Sequence, residues 1–233
     1  MTQGKKEQVR VMFDNIAGKY DFLNHFLSAG IDVLWRKRLV KMLMKSNPER
    51  ILDVATGTAD LAIELARKTK ASITGVDISQ GMLDIGQQKL ITKKLDHQIV
   101  LKLADSEMLP FENHSFDAAM VAFGVRNFEN LDKGLAEMQR VLTKNGMIVV
   151  LEFSRPRVFP VKQFYNFYFR FILPSLGRIV SKDKEAYTYL PESVGNFPDG
   201  NDFLVHLENA NFSKVSQRRL TFGIATIYTG FKL

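Results

Sequence analysis

At 233 residues the chain is long for one minimal domain and short for two, so a single domain with an insertion or cap is expected. Its 45% hydrophobic and 24% charged residues are those of a folded globular protein, and the lack of cysteine excludes disulfides, thiolate metal sites and cysteine nucleophiles. The net charge of +7 is uneven: residues 1–50 hold ten Lys/Arg against five Asp/Glu, residues 155–185 hold seven against two, and the remainder sums to −3.

The start, Met1-Thr2-Gln3-Gly4-Lys5-Lys6, lacks the apolar stretch of a signal peptide, and no apolar run approaches the roughly 18–20 residues of a spanning helix. A cytoplasmic address is therefore expected. From Ile51 onward, short apolar runs alternate with helical patterns. Ile51–Val54, Ser72–Ile78, Ile99–Leu103, Phe116–Phe123 and Met147–Phe153 read as strands one to five. Between them, Leu61, Leu65 and Ala66, then Met82, Ile85 and Leu90, then Leu135, Met138 and Leu142 have helical spacing, the last helix stopping at Lys144-Asn145-Gly146. Such alternation implies a mostly parallel, doubly wound α/β sheet covered on both faces. The rhythm breaks over 154–200, after which a helix near Asn201–Asn209 precedes strands near Lys214–Leu220 and Ile224–Leu233. The expectation is a seven-stranded sheet closed by an edge hairpin with an antiparallel last strand. Four parts make up one domain: a helical lid (1–50), a core (51–153), an aromatic and basic cap (154–200) and the closing helix and hairpin (201–233).

In such a sheet the ligand sits beyond the C-terminal strand ends, where strand order reverses. The loop after the first strand, Ala55-Thr56-Gly57-Thr58-Ala59-Asp60, has one glycine where a dinucleotide site usually has three. S-adenosylmethionine carries no phosphate and needs fewer. Asp77, 24 residues after Asp53, can accept hydrogen bonds from both ribose hydroxyls. Asp105-Ser106 follows the third strand and suits an adenine edge, and Met82 could cover the adenine face. An Asp ending a strand is often only a helix cap, and a lone Met is more often core; their joint occurrence in this order argues for a site.

At this point the sequence resembles class I methyltransferases, and among them the quinone-biosynthesis C-methyltransferases acting on demethylmenaquinol and 2-methoxy-6-polyprenylbenzoquinol. The resemblance runs essentially end to end. It rests on Phe13-Asp14-Asn15-Ile16-Ala17-Gly18-Lys19-Tyr20-Asp21, Asn24, Ser28-Ala29-Gly30, Trp35-Arg36, Leu109-Pro110-Phe111, Phe123-Gly124-Val125-Arg126-Asn127 and Tyr189-Leu190-Pro191-Glu192-Ser193. The resemblance implies a Rossmann-like class I fold and Thr58, Asp77, Asp105 and Ser106 as cofactor contacts. Asp53, Gly57, Ile78, Met82 and Ala122 complete the expected cofactor set. Ala122 stands where relatives often have serine, leaving only its backbone, and Asp32 stands where a histidine is expected.

Methylating a hydroquinone carbon requires the neighbouring hydroxyl, with an ordinary pKa of about 10, to lose its proton. Arg126 is the leading candidate to stabilise the aryl oxide; its own pKa above about 12 prevents it from being the base, so a water or carboxylate must take the proton. Tyr20, Asp21 and Asn127 are expected to orient substrate. An ion pair to a nearby carboxylate is the plain alternative for Arg126, and lid packing for Tyr20. His25, His97, His114 and His206 lack metal-ligand spacing, and no metal is expected.

Seven of the thirteen residues from Phe159 to Phe171 are aromatic. Phe164, Phe167, Tyr168 and Phe171 share one helical face, with Tyr165, Phe169 and Ile172 beside it. Arg155, Arg157, Lys162, Arg170 and Arg178 surround them, and the other basic stretch includes Arg36, Lys37, Arg38 and Lys41. A cap over the sheet explains this segment; so does contact with a prenyl tail and with anionic lipid at the inner face of the membrane. The expected partners are a polyprenyl quinol, demethylmenaquinol ahead of the benzoquinol, and a membrane surface, with no nucleic acid; a homodimer stays open. A soluble-metabolite methyltransferase and an RNA-binding methyltransferase-like module are the competing readings, the latter without any recognition motif.

Overall fold

Four apolar strands buried on both sides set the frame of the sheet, because such runs are stable only between two layers of helix. The computed structural model of the chain describes residues 4–28, 30–168 and 184–233. In chain order the elements are α1 (Lys5–Leu27), α2 (Ile31–Leu43), β1 (Arg50–Val54), α3 (Asp60–Ala66), β2 (Ser72–Asp77), α4 (Gln80–Lys93), β3 (Ile99–Leu103), β4 (Phe116–Ala122), α5 (Leu131–Val141) and β5 (Leu142–Phe153). The chain continues with α6 (Val161–Phe167), α7 (Lys184–Asn196), α8 (Asn201–Asn209), β6 (Phe212–Leu220) and β7 (Ala225–Lys232).

The strand order is β3-β2-β1-β4-β5-β7-β6. Neighbours from β3 to β5 are parallel, and β7 runs antiparallel to both β5 and β6. The seven-stranded, mostly parallel sheet read from the sequence is thus present. The hairpin closes one edge: β7 lies between β5 and β6, which is why Ala225–Gly230 is buried throughout, and β6 is outermost with alternating exposure. Trp35, Leu39 and Leu43 of α2 pack with α3 and Leu90 of α4 on one face of the sheet. Leu135 and Met138 of α5 and Phe203 and Leu207 of α8 pack on the other.

Local signals explain the helix starts. The Ser79 hydroxyl accepts from the Met82 N–H at the head of α4, and the Asn130 side chain accepts from Lys133 N–H at the head of α5. The expected stop at Lys144-Asn145-Gly146 is not a helix end. The chain leaves α5 at Val141 and enters β5 directly, Leu142 pairing with Phe116 before the register shifts and resumes at Met147 opposite Ala118. Asn145, at φ 64°, and Gly146 form that irregular stretch, so the turn chemistry serves a bulge rather than a cap.

Strand order reverses between β1 and β4. Their C-terminal ends, with the loops that follow, frame a crevice. The 23-residue α1 lies across it, burying Ile16 and Ala17 against Met82 of α4.

Candidate functional site: three adjoining cavities

The first cavity, about 700 Å³ of empty space, lies in this crevice. Gly57, Asp77, Ile78, Met82, Asp105, Ser106 and Ala122 all line it, so seven of the nine expected cofactor residues come together. Gly57 has φ 55°, which suits glycine, and its N–H donates to Asp77 Oδ2 at 2.8 Å while Ser79 N–H donates to Oδ1 at 2.9 Å. Burial pushes the Asp77 carboxyl up from its ordinary range, with these backbone donors opposing. At Gly124 a Cβ would come within 2.6 Å of Ala55 Cβ, because the loops after β1 and β4 touch there.

The other two expected residues, Asp53 and Thr58, line a neighbouring hollow of about 380 Å³ together with Tyr20 and Arg36. Asp53 is 1% exposed and accepts from the Thr56 hydroxyl at 2.7 Å. Burial raises its carboxyl to about 7, the Thr56 hydroxyl opposing and nearby Asp77 adding to the rise.

Helix α1 closes the crevice with one face: Lys6, Val9, Phe13 and Tyr20 all line the first cavity. Polar contacts tie it down. Lys6 reaches Asp105 at 2.6 Å and Glu107 at 3.3 Å, and Lys5 donates to the Phe128 carbonyl at 2.6 Å. Asp14 accepts from the Ser79 hydroxyl at 2.6 Å and from Gly81 N–H at 3.0 Å. Asp21 accepts from the Thr58 hydroxyl at 2.6 Å and pairs with Lys89 at 2.5 Å. Partly exposed pairs of this kind contribute about 0.2–1 kcal/mol each, so α1 is held by several weak latches over a small apolar contact. Tyr20 and Asp21, expected to orient substrate, do not line the large third cavity. Tyr20 faces the first two cavities and Asp21 is a latch, because α1 runs over the ends of β1 and β4.

The third cavity, about 1140 Å³, is walled mainly by Ile31, Trp35, Phe123, Phe153, Phe164 and Leu190. Val161, Phe164, Tyr165 and Tyr168 line it at i, i+3, i+4 and i+7, the expected pattern starting three residues earlier and sharing Phe164 and Tyr168 with it; Phe167 is 56% exposed. Phe169, Arg170, Phe171, Ile172 and Arg178 lie outside the described residues.

Arg126 lines this chamber. Its Nη1 donates to Glu152 Oε1 at 2.7 Å and to the Phe123 carbonyl at 2.5 Å, and its guanidinium lies 5.4 Å from the Phe153 ring centroid. Its Nε is buried without a hydrogen-bond partner among the described residues. Glu152, which sequence reasoning passed over as one more strand residue, is completely buried; burial pushes its carboxyl up while Arg126 pulls it down. Asn127 lines the first cavity rather than this chamber, and its Oδ1 accepts from the Tyr189 hydroxyl at 3.0 Å, which docks α7 on the site. Phe123 lines all three cavities and holds φ 60°, a costly conformation for an aromatic residue that turns its carbonyl to Arg126.

The profile of the ubiE/COQ5 methyltransferase family matches residues 1–232. The chain belongs to this family. It is 46% identical over 230 residues to a demethylmenaquinone methyltransferase of Porphyromonas gingivalis, covering 98% of this chain and 94% of that one. It is 45% identical over 230 residues to a ubiquinone/menaquinone biosynthesis C-methyltransferase of Geobacter sulfurreducens, covering 98% and 90%. A solved SAM-dependent methyltransferase of Thermotoga maritima, described as a possible histamine N-methyltransferase, superposes with TM-score 0.67 at 18% identity over 97% of this chain and all of that one, a likeness of fold. The Phe123–Asn127 segment lies where the three cavities meet. Among the described residues no helix is long and apolar enough to cross a membrane, and no group of three His, Cys, Asp or Glu could hold a metal ion.

Proposed function

We propose that the protein transfers a methyl group from S-adenosylmethionine to a ring carbon of a polyprenylated quinol, demethylmenaquinol first among candidates. The observation that carries this reading is the large apolar chamber that meets the two smaller cavities at Phe123, with Arg126 in its wall. The donor set fits the cofactor: the Asp77 carboxylate for a ribose diol, Asp105 and Ser106 for an adenine edge, and the buried Asp53 carboxylate for a cationic amino-acid end. Bound there, S-adenosylmethionine supplies an electrophilic methyl group on a sulfonium. The chain's own task is to make the ring carbon nucleophilic. Arg126, in the chamber wall, sets a fixed positive charge beside an aryl oxide, and the apolar walls exclude water and strengthen that attraction. Incubating the pure protein with S-adenosylmethionine and demethylmenaquinol under reducing conditions tests the reading; an unmethylated quinol sinks it. The name of the Geobacter relative favours assaying 2-methoxy-6-polyprenylbenzoquinol alongside.

Asp53 makes cofactor binding pH-dependent. A carboxyl raised in the folded state to about 7 from 3.8 holds its proton more tightly than in the unfolded chain. Its contribution to stability is full below about pH 3.8 and is lost as pH rises through 7. The cationic cofactor needs the ionised form, so its affinity should weaken as pH falls below 7, approaching tenfold per pH unit. Calorimetric titration between pH 5.5 and 8.5 checks this, and Asp53→Asn should flatten the slope.

A membrane surface supplies the tail. Phe164 lines the chamber and is 70% exposed, so the chamber wall reaches the outside there. Val158, Phe159 and Phe222 are also exposed, with Arg155, Arg157 and Lys162 in the same stretch of chain and Pro156 beside Gly223. Exposed rings among cations suit an anionic bilayer. Phe159→Ser with Phe222→Ser should lower binding to anionic vesicles at least tenfold, since each buried phenylalanine contributes about 1.5–3 kcal/mol. The same variant should keep its activity on a short-tailed, water-soluble quinol; equal losses on both substrates would refute the docking role.

A further inference from the structure

The apolar chamber has a polar corner where the end of α1 meets the start of α2. Asn24, Ser28, Asp32 and Arg36 line it. Asp32 is 3% exposed, and its carboxylate is a junction: the Ser28 hydroxyl donates to Oδ1 at 2.6 Å and Arg36 pairs with Oδ2. His25 Nδ1 lies 3.2 Å from Oδ1 and 3.1 Å from Oδ2. The His25 side chain is 47% exposed. A buried carboxylate in the chamber wall is thus one hydrogen bond from an imidazole in solvent.

The chemistry proposed above, on which this inference rests, leaves a proton without a destination. The aryl hydroxyl must ionise inside an apolar chamber. Arg126 can stabilise the oxide but cannot accept a proton at neutral pH. Glu152 does not line the chamber; it lies behind Arg126, with Oε1 taken by Nη1 and by the Phe153 N–H at 2.8 Å and Oε2 facing the Arg126 N–H. We infer that Asp32 and His25 form the proton exit of the active site, Asp32 taking the proton of the substrate hydroxyl and His25 passing it to solvent. The O–H bond breaks with its electron pair left on oxygen, and an O–H bond forms on the Asp32 carboxylate. The proton then moves to His25 Nδ1 and exchanges with water. After transfer the emptied Asp32 carboxylate takes the ring C–H proton, the C–H electron pair restoring the aromatic ring, and returns it to the oxygen, so one proton is exported per methyl group, the stoichiometry of replacing a ring hydrogen by methyl.

The surroundings serve that role. From the end of α1 His25 contacts Asp32 and from the turn after it Ser28, with Asn24 lining the same corner; on α2 it is Arg36, which also lies 3.7 Å from Asp60 of α3. Among the described residues, Tyr165 of α6, Tyr168 just after it and the Arg126–Glu152 pair are the other charged and titratable groups at the chamber. Arg36 keeps a positive charge at the corner as the proton passes, and the Ser28 hydroxyl can bridge substrate oxygen to carboxylate.

The test uses the full chain with demethylmenaquinol under reducing conditions from pH 6.5 to 9.5. Asp32→Asn should lower kcat about 10²–10³-fold at pH 7, the usual range for losing a general base, while cofactor affinity stays within twofold. The deficit should shrink by about tenfold per pH unit, because a hydroxyl with an ordinary pKa of about 10 then ionises unaided. A loss independent of pH, or no loss, overturns the role of Asp32. His25→Ala, at an exposed position that folding tolerates, should lose about tenfold and recover with imidazole in the buffer; a loss that imidazole leaves untouched, or none, overturns the relay. Wild-type protein that leaves the quinol unmethylated overturns both this inference and the substrate reading. Active wild type with a pH-independent Asp32→Asn defect overturns the relay alone.

Discussion

Arg126→Ala is expected to remove roughly 10²–10³-fold from turnover, the range seen when one preorganised donor to a developing oxyanion is lost, and to cost about 3–5 kcal/mol of stability. Both follow from one geometry. The guanidinium is 8% exposed and its partner Glu152 is fully buried, so deleting the cation leaves a carboxylate without compensation in a site that already pushes it towards the neutral form. The two effects can be separated. Arg126→Met combined with Glu152→Leu replaces the pair by apolar groups, an exchange that is commonly neutral or stabilising, so the melting temperature should return while turnover does not. A pH series gives a second check. Without Arg126 the raised Glu152 carboxyl is held protonated at lower pH, so the stability deficit of Arg126→Ala should be smallest in acid and grow as pH rises through the folded-state value. Arg126→Lys keeps the charge but loses the planar guanidinium whose Nη1 serves Glu152 and the Phe123 carbonyl together, and should remain well below wild type. Restored turnover in the Met/Leu double variant would show that Arg126 only holds the ends of β4 and β5 together.

The contrast between Arg126 and Tyr20 shows how far the sequence could be read. Strands β1 to β5 were legible because buried apolar runs and the helical spacing between them admit few other arrangements, and the position of Asp77 followed from the strand it ends. What depended on contacts distant in sequence was not legible. Lys6 meets Asp105 across 99 positions, and nothing near either residue predicts it. The cavity-facing side of α1 was nonetheless present as a pattern: Lys6, Val9, Phe13 and Tyr20 recur at helical spacing, which is lost when Tyr20-Asp21 is taken as a short motif. Glu152 gave no signal, since a carboxylate late in an apolar strand is conspicuous only once Arg126 is known to face it. The place of β7 was equally hidden. Its buried run was visible, but whether it or β6 took the edge is decided by tertiary pairing.

Asp77→Asn should weaken cofactor binding about 10²–10³-fold while changing kcat at saturating cofactor only a few-fold. The carboxylate has two tasks. Oδ2 holds the loop after β1 through Gly57 N–H, and Oδ1 holds the start of α4 through Ser79 N–H, so both sides of the crevice are fixed by the group that would accept a ribose diol. An amide has a single accepting oxygen, and its NH₂ would turn a donor towards one of those N–H groups, leaving that donor buried and unpaired. Hydrogen bonds to a charged group contribute about 1.5–3 kcal/mol each, and losing them to one or two hydroxyls accounts for the predicted factor. The apo protein should behave differently. Burial pushes the Asp77 carboxyl up, so its ionised form costs stability that the neutral amide does not, and that cost is present as pH rises above the folded-state value. That gain offsets part of what the unpaired N–H costs the variant without ligand, and the rise in melting temperature produced by the cofactor should largely vanish, because that rise follows the logarithm of ligand concentration over dissociation constant. A variant that melts early and binds the cofactor normally would make Asp77 a loop anchor alone and move the ribose contact elsewhere in the crevice.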